Sequence, residues 1–276
     1  MVKHRWSRGS RPYLDHHKPN RSALMPTVLI TGCSSGFGLE TAKLFLEKGW
    51  KVVATMRRPT PDILPVSDHL TVLPLDVTDP ASIRKAVEQI GDIDVLVNNA
   101  GFGAAVPVEL IEPDTARELF ETNTLGTLAM MQAVLPAFRE RRGGTIINVT
   151  STVTLKPLPL VSVYRASKAA VNALTESLAV EMEPFGVRVH IVLPGRSPET
   201  SFGNNALPHL RGLDNADYKP MIEGMIANFR EESGPITHAV DVAAAVWRAA
   251  TDPGAPLKIA AGEDAVQWMA EAEHWT

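Results

Sequence analysis

The chain is poor in cysteine. Among 276 residues only Cys33 carries a thiol, so no internal disulfide can form and a cysteine-built zinc site is excluded. No run of about 18 or more apolar residues occurs, so no segment is expected to span a bilayer, and a cytoplasmic location is the expectation that follows. A surplus of positive charge is missing as well. Lys and Arg number 27 against 31 Asp and Glu, a net charge of −4, which argues against a nucleic-acid-binding surface. Internal repeats and low-complexity tracts are absent. What remains is a globular composition, 45% hydrophobic and 21% charged. A chain of this length buries about three quarters of its unfolded surface.

The charge is unevenly placed. Residues 1–24 hold six Lys and Arg against Asp15 alone, with Pro12 and Pro19 and no periodicity. This head lacks the apolar core of a secretory signal and reads as a basic, disordered tail over 1–25, or as residues preceding a start at Met25. The body, 26–276, reads as one domain.

From Thr27 onward apolar runs alternate with helical periodicity. Strands are expected at Val28–Ile30, Val52–Ala54, Leu70–Leu75, Asp94–Val97, Thr145–Val149, Val187–Leu193 and around Leu257–Ala260. Between them lie helical stretches, one opening at Asp79-Pro80 and closing at Gly91, two long ones at about 113–141 and 163–184, and one near 239–250. The strand runs are apolar throughout rather than alternating, as when both faces of a sheet are covered. The expected fold is therefore α/β: a single doubly wound, Rossmann-type domain on a seven-stranded parallel sheet.

The first strand runs into Thr31-Gly32-Cys33-Ser34-Ser35-Gly36-Phe37-Gly38. Glycines at 32, 36 and 38 permit a tight turn and let backbone amides at a helix N-terminus approach a pyrophosphate. An ordinary strand-to-helix turn is the plainer reading, but the position at the first βα junction favours a dinucleotide. No acid occurs between Glu47 and Asp62 to bond a ribose 2′-hydroxyl; instead Arg57 lies 19 residues after Gly38, with Arg58 beside it. A guanidinium suits a 2′-phosphate, so NADP(H) is preferred over NAD(H), unless the pair is only solvated loop.

Tyr164 and Lys168 stand four apart on one face of the second long helix. A phenol near pKa 10 is a poor acid–base catalyst at neutrality, and an adjacent ammonium lowers it. Ser151, at the end of the fifth strand, falls 13 residues before Tyr164, where ligands of parallel sheets bind. A capping role for that serine is the alternative.

Thr31–Gly38, Asn98-Asn99-Ala100-Gly101, Asn123, Ser151, Tyr164–Lys168 and Pro194-Gly195 together resemble, in order, the motifs of the short-chain dehydrogenase/reductase family. The likeness covers about 27–262. Within the family's ordinary-length branch it looks most like hydroxysteroid and retinol dehydrogenase-like oxidoreductases. The resemblance implies that Tyr164 is the general acid/base, that Lys168 lowers its pKa and binds the nicotinamide ribose, that Ser151 orients the substrate oxygen, and that Asn123 holds a relay water. It implies that Gly32, Ser34, Ser35, Gly36, Phe37, Gly38 and Arg57 bind the cofactor's phosphates. Asp76 and Val77 would then touch adenine, Asn98, Ala100 and Gly101 would line the crevice, and Pro194, Gly195 and Thr200 would pass the nicotinamide. Asn98-Asn99 as a turn and Asp76 as a cap stay open. It further implies a homodimer or homotetramer through the two long helices, with no metal.

Phe37, Thr154 and Arg165 depart from the family pattern, and the 194–200 segment is one residue longer than expected before Thr200. Arg165 is free to point to solvent or to the site mouth. Residues 196–236 read as a substrate lid, in which Met221, Met225 and Phe229 share a helical face. That face either packs on the core or walls an apolar substrate. The activity implied is hydride transfer between NADP(H) and a hydrophobic ketone or secondary alcohol. A silent cofactor-sensing protein of the same fold is the rival. An epimerase or dehydratase of nucleotide sugars is the other, disfavoured by the loop spacing.

Overall fold

The computed structural model describes residues 25–60, 62–200, 202–231 and 233–272, so the basic tail at 1–24 lies outside the described residues. Aliphatic runs form seven strands: β1 Thr27–Thr31, β2 Lys51–Met56, β3 Leu70–Pro74, β4 Val95–Asn98, β5 Gly144–Val149, β6 Val187–Pro194 and β7 Lys258–Ala261. All pair in parallel, in the order β3-β2-β1-β4-β5-β6-β7. The sheet matches the expected doubly wound form. Its direction of growth reverses between β1 and β4, which opens a crevice at their carboxyl ends.

Helices cover both faces. The helices α1 (Gly36–Glu47) and α8 (Ala239–Thr251) bury Phe45, Ala42, Val242 and Val246 against Val28, Ile30 and Val52. On the other face α2 (Pro80–Ile90), α4 (Gly126–Arg141) and α5 (Ser162–Met182) pack Ile83, Met130, Val134, Phe138 and Leu178 on Leu29, Leu96 and Ile146. The expected α2 caps are present: Asp79 accepts from the Ala81 amide at 2.8 Å, Pro80 opens the helix, and Gly91 closes it.

Two expectations need correction. The stretch 113–141 is not one regular helix. Helix α3 (Pro113–Phe120) passes through a π-helical turn, Glu121–Leu125, before α4 begins. The cause is tertiary: Asn123 is fully buried and bonds the backbone of Phe102 rather than following the helical path. In α7 (Lys219–Arg230) Met225 and Phe229 of the expected stripe are half-buried, but Met221 is exposed and the fully buried residue is its neighbour Ile222. Beyond β7 an unexpected helix follows, α9 (Glu263–Ala272), whose buried residues are only Asp264 and Ala265. The short helix α6 (Phe202–Ala206) lies in the 196–236 segment before α7.

Phe45 is fully buried between Trp50 and Trp247, each edge-on with ring centroids at 5.1 Å. Phe45→Ala should therefore destabilise the protein by about 3–5 kcal/mol, read as a lowered denaturant midpoint at unchanged slope. A change below about 1 kcal/mol would place the core elsewhere.

Candidate active site

The crevice between β1 and β4 is held at a set width by one hydroxyl. Thr31 Oγ1 accepts from the amides of Asn99 and Ala100, both at 3.0 Å. The Asn99 side chain donates to the carbonyls of Thr31 and Gly32, also at 3.0 Å. Gly32 sits at φ +74°, and a side chain there would come within 2.8 Å of Ala100 Cα. At Gly38 a Cβ would strike the Gly32 carbonyl. These positions need glycine because the loop and the neighbouring strand end are already in contact.

A cavity of about 1170 Å³ opens here. Gly32, Ser34, Ser35, Gly36 and Phe37 form one wall, with Arg57, Asp76, Val77, Thr78, Asn99, Ala100 and Gly101 around them. Ser35 caps α1 without a side-chain hydrogen bond, and no acid lies in the first turn, so the helix amides are left to face an anion. The residues present thus fit a pyrophosphate. Arg57 is exposed at the cavity edge. Asp76 lines the cavity and accepts from the Thr78 amide and hydroxyl at 2.9 and 2.7 Å, and the cap of α2 is Asp79 rather than Asp76.

Asn98 is placed differently from Asn99. Its side chain turns into the interior and donates to Asn148 at 2.8 Å, and Asn148 in turn donates to Thr175. Thr200 lines the cavity opposite Gly36, where an added Cβ would meet it at 3.5 Å. Pro194 ends β6 and Gly195 follows it, and neither lines the cavity. The Gly195 amide donates to Thr237, and Gly195 is pressed on Asp264. Asp264, in the unexpected α9, accepts from the Arg196 amide at 2.6 Å and from Thr237 at 2.7 Å. A carboxylate opening a short helix signals it only weakly in sequence.

Ser151, Tyr164, Lys168 and Asn123 come together, all buried, behind the Gly101–Phe102 wall. The side chains of Ser151 and Tyr164 share a hydrogen bond. Lys168 Nζ donates to the Val149 carbonyl at 3.1 Å. Asn123 accepts from the Phe102 amide at 3.0 Å and donates to its carbonyl at 2.9 Å. A Cβ on Gly101 would lie 2.8 Å from Asn123 Oδ1 and 3.2 Å from Lys168 Nζ, so glycine is what lets the chain pass there. Around Tyr164 lies an apolar cluster of Ala104, Val106 and Leu119, with Phe102 and Val153 packed against it.

Burial governs the ionisations. It pushes the Tyr164 phenol up to about 12, against the lowering effect of Ser151. It pulls the Lys168 ammonium down to about 8. Desolvation therefore outweighs the lowering of the tyrosine that the lysine spacing suggests.

A doubly wound sheet with a glycine-walled crevice at its switch point and a buried serine–tyrosine–lysine group beside it defines a dinucleotide-dependent oxidoreductase. Residues 26–208 match the short chain dehydrogenase family model, and the protein belongs to that family of enzymes, which act on CH–OH and carbonyl groups with a nicotinamide cofactor. It is 34% identical over 252 residues to 3-ketodihydrosphingosine reductase of Bacteroides thetaiotaomicron, covering 90% of this chain and 92% of the relative. It is 38% identical to human retinol dehydrogenase 8 over 180 residues, 61% and 58% of the two chains. The crystal structure of a Burkholderia cenocepacia short chain dehydrogenase in complex with NADP is similar, with a TM-score of 0.72 at 29% identity, covering 91% and 93%.

The lysine shift carries a pH signature. Unfolded, Lys168 titrates near 10.5, and folded near 8. Between those values the unfolded chain holds a proton the folded chain has released, so this residue's contribution raises stability with pH. Lys168→Met removes the rise. From pH 8 to 10.5 wild type should gain up to about 3 kcal/mol on the variant, since Cys33 and Tyr164, shifted the opposite way, are common to both. A gap that stays constant with pH would contradict a buried ammonium.

Proposed function

We propose that this protein is an NADP(H)-dependent reductase of hydrophobic ketones, with Ser151, Tyr164, Lys168 and Asn123 as its catalytic set. The observation that carries the reading is the Ser151–Tyr164 hydrogen bond, buried in an apolar cluster one residue layer from the glycine-walled cavity. When bound, the nicotinamide group supplies the hydride.

The chain's own residues supply the rest. Gly32, Ser34, Ser35, Gly36, Phe37 and Gly38 hold the phosphates, and Arg57 takes the 2′-phosphate. Asp76 and Val77 flank adenine, while Ala100, Gly101 and Thr200 shape the crevice; Asn98, turned to Asn148, and Pro194 and Gly195, off the cavity wall, fix the strand ends behind it. The Ser151 hydroxyl donates to the carbonyl oxygen and fixes its position. Tyr164 Oη then passes its proton to that oxygen. The elevated phenol pKa suits this direction, because the acid is fully protonated at neutral pH. Lys168 and Asn123, held by Val149 and Phe102, line the path by which the proton is replaced.

The apolar surroundings of Tyr164 support a hydrophobic substrate, and the likeness to a 3-ketodihydrosphingosine reductase supports a ketone. Residues 196–236 act as the lid. Asn205, Pro208 and His209 border the cavity, and His209 lies against Phe102 with ring centroids 5.0 Å apart. Leu125 and Val180, exposed at the start of α4 and on α5, support pairing of subunits across these helices.

Tyr164→Phe should cut turnover of a ketone panel by at least about a hundredfold while leaving NADPH binding in place. Arg57→Ala should lower the NADPH-over-NADH ratio of kcat/KM by about tenfold or more. Binding of NADPH without consumption by wild type, across aliphatic and aromatic ketones, would favour the sensing role instead.

A further inference from the structure

Two residues that depart from the family pattern are joined through one loop. Ser151 begins a short turn, Thr152–Thr154, that carries it toward Tyr164. Arg165, next to Tyr164 on α5, points neither to solvent nor to the cavity. Its Nε donates to the Val153 carbonyl at 2.9 Å and its Nη2 to the Thr154 carbonyl at 3.4 Å. Asn172, two turns along the same helix, donates to Thr154 Oγ1 at 3.0 Å. Thr154 Oγ1 in turn donates to the Ser151 carbonyl at 2.8 Å.

We propose that Arg165, Asn172 and Thr154 form a brace that positions Ser151 against Tyr164, and so act in catalysis through the serine. The proposal rests on the reductase reading. The brace works because α5 carries both halves of the geometry. Tyr164 is fixed by the helix itself, while Arg165 and Asn172 tie the serine's turn to that helix at two points about ten Å apart along its axis, as two helical turns dictate. Only Arg165 spans the turn with a forked donor that serves two carbonyls. The Thr154 hydroxyl is used twice, as acceptor from Asn172 and donor to Ser151, so a side chain lacking either function breaks the relay. Val153, held by Arg165, donates its amide to Ser151 Oγ at 3.3 Å, which carries the constraint to the reacting hydroxyl.

The test uses Thr154→Val, Thr154→Ser, Arg165→Met and the Val/Met double variant, with the fastest ketone found for wild type. Thr154→Val and Arg165→Met should each lower kcat about tenfold or more, since misplacement by about an ångström is costly. NADPH affinity should stay within about twofold, Thr154→Ser should recover wild-type kcat, and the double variant should fall short of the product of the single losses. Unchanged kcat, or loss of kcat and NADPH affinity together with no recovery in Thr154→Ser, would overturn the brace. Tyr164→Phe runs alongside. If it retains turnover, or wild type has none, the reductase reading falls on its own account. Crystal structures of Thr154→Val and Arg165→Met then decide the brace: displacement of Ser151 from hydrogen-bonding distance of Tyr164 supports it, and an intact bond refutes it.

Discussion

Two parallel strands that send their chains to opposite faces of a sheet leave a gap beyond their carboxyl ends, and in this protein β1 and β4 are those strands. The Thr31 hydroxyl and the Asn99 side chain bridge the gap with four hydrogen bonds at 3.0 Å, and glycines at 32 and 38 let the backbone close onto the bridge. The cavity, the uncapped start of α1 and the position of Gly101 all follow from that bridge. Gly101 follows directly on the bridged Asn99-Ala100 pair and is the point of closest approach to Asn123 and Lys168. The cavity and the buried Tyr164–Lys168 group are thus two sides of one short segment.

The helix α5 is the second organiser. It presents Tyr164 and Lys168 one turn apart, as the helical repeat requires, and buries both. Burial sets the sign of their chemistry: it keeps the phenol protonated and makes the ammonium a stronger acid than in water. The π-helical turn before α4 serves the same centre. It aims Asn123 at Phe102 and, through a 3.0 Å bond, at Ser167 on α5, so three segments distant in sequence share one polar cluster. Such turns carry a cost in helix regularity, which the tertiary bonds to Asn123 offset.

Much of this was legible in the sequence because it depends on local rules. Glycine spacing at 32, 36 and 38, Asp79-Pro80 before a helix, and Tyr164 four residues before Lys168 each express a backbone constraint that holds wherever the segment is placed. The rest depends on partners from elsewhere. The helical pattern runs unbroken through Asn123, and the π turn there goes with bonds to partners far along the chain, the Phe102 backbone and Ser167. The direction of Arg165 is fixed by carbonyls at 153 and 154. Asn98 and Asn99 are alike in sequence, yet strand alternation sends one to Asn148 and the other to the glycine loop. Helix α9 is announced by Ala265, Trp268, Met269 and Ala272 at helical spacing, although its buried residues are only Asp264 and Ala265.

The central claim is that one dinucleotide bridges the glycine loop and the Tyr164 centre through the β1–β4 crevice. Hydrogen–deuterium exchange of the full chain with and without NADPH tests it most directly. The account predicts slowed exchange together in residues 32–38, 99–102 and 194–200, with the core strands unchanged. Protection confined to one of these segments, or lying outside all three, would contradict it.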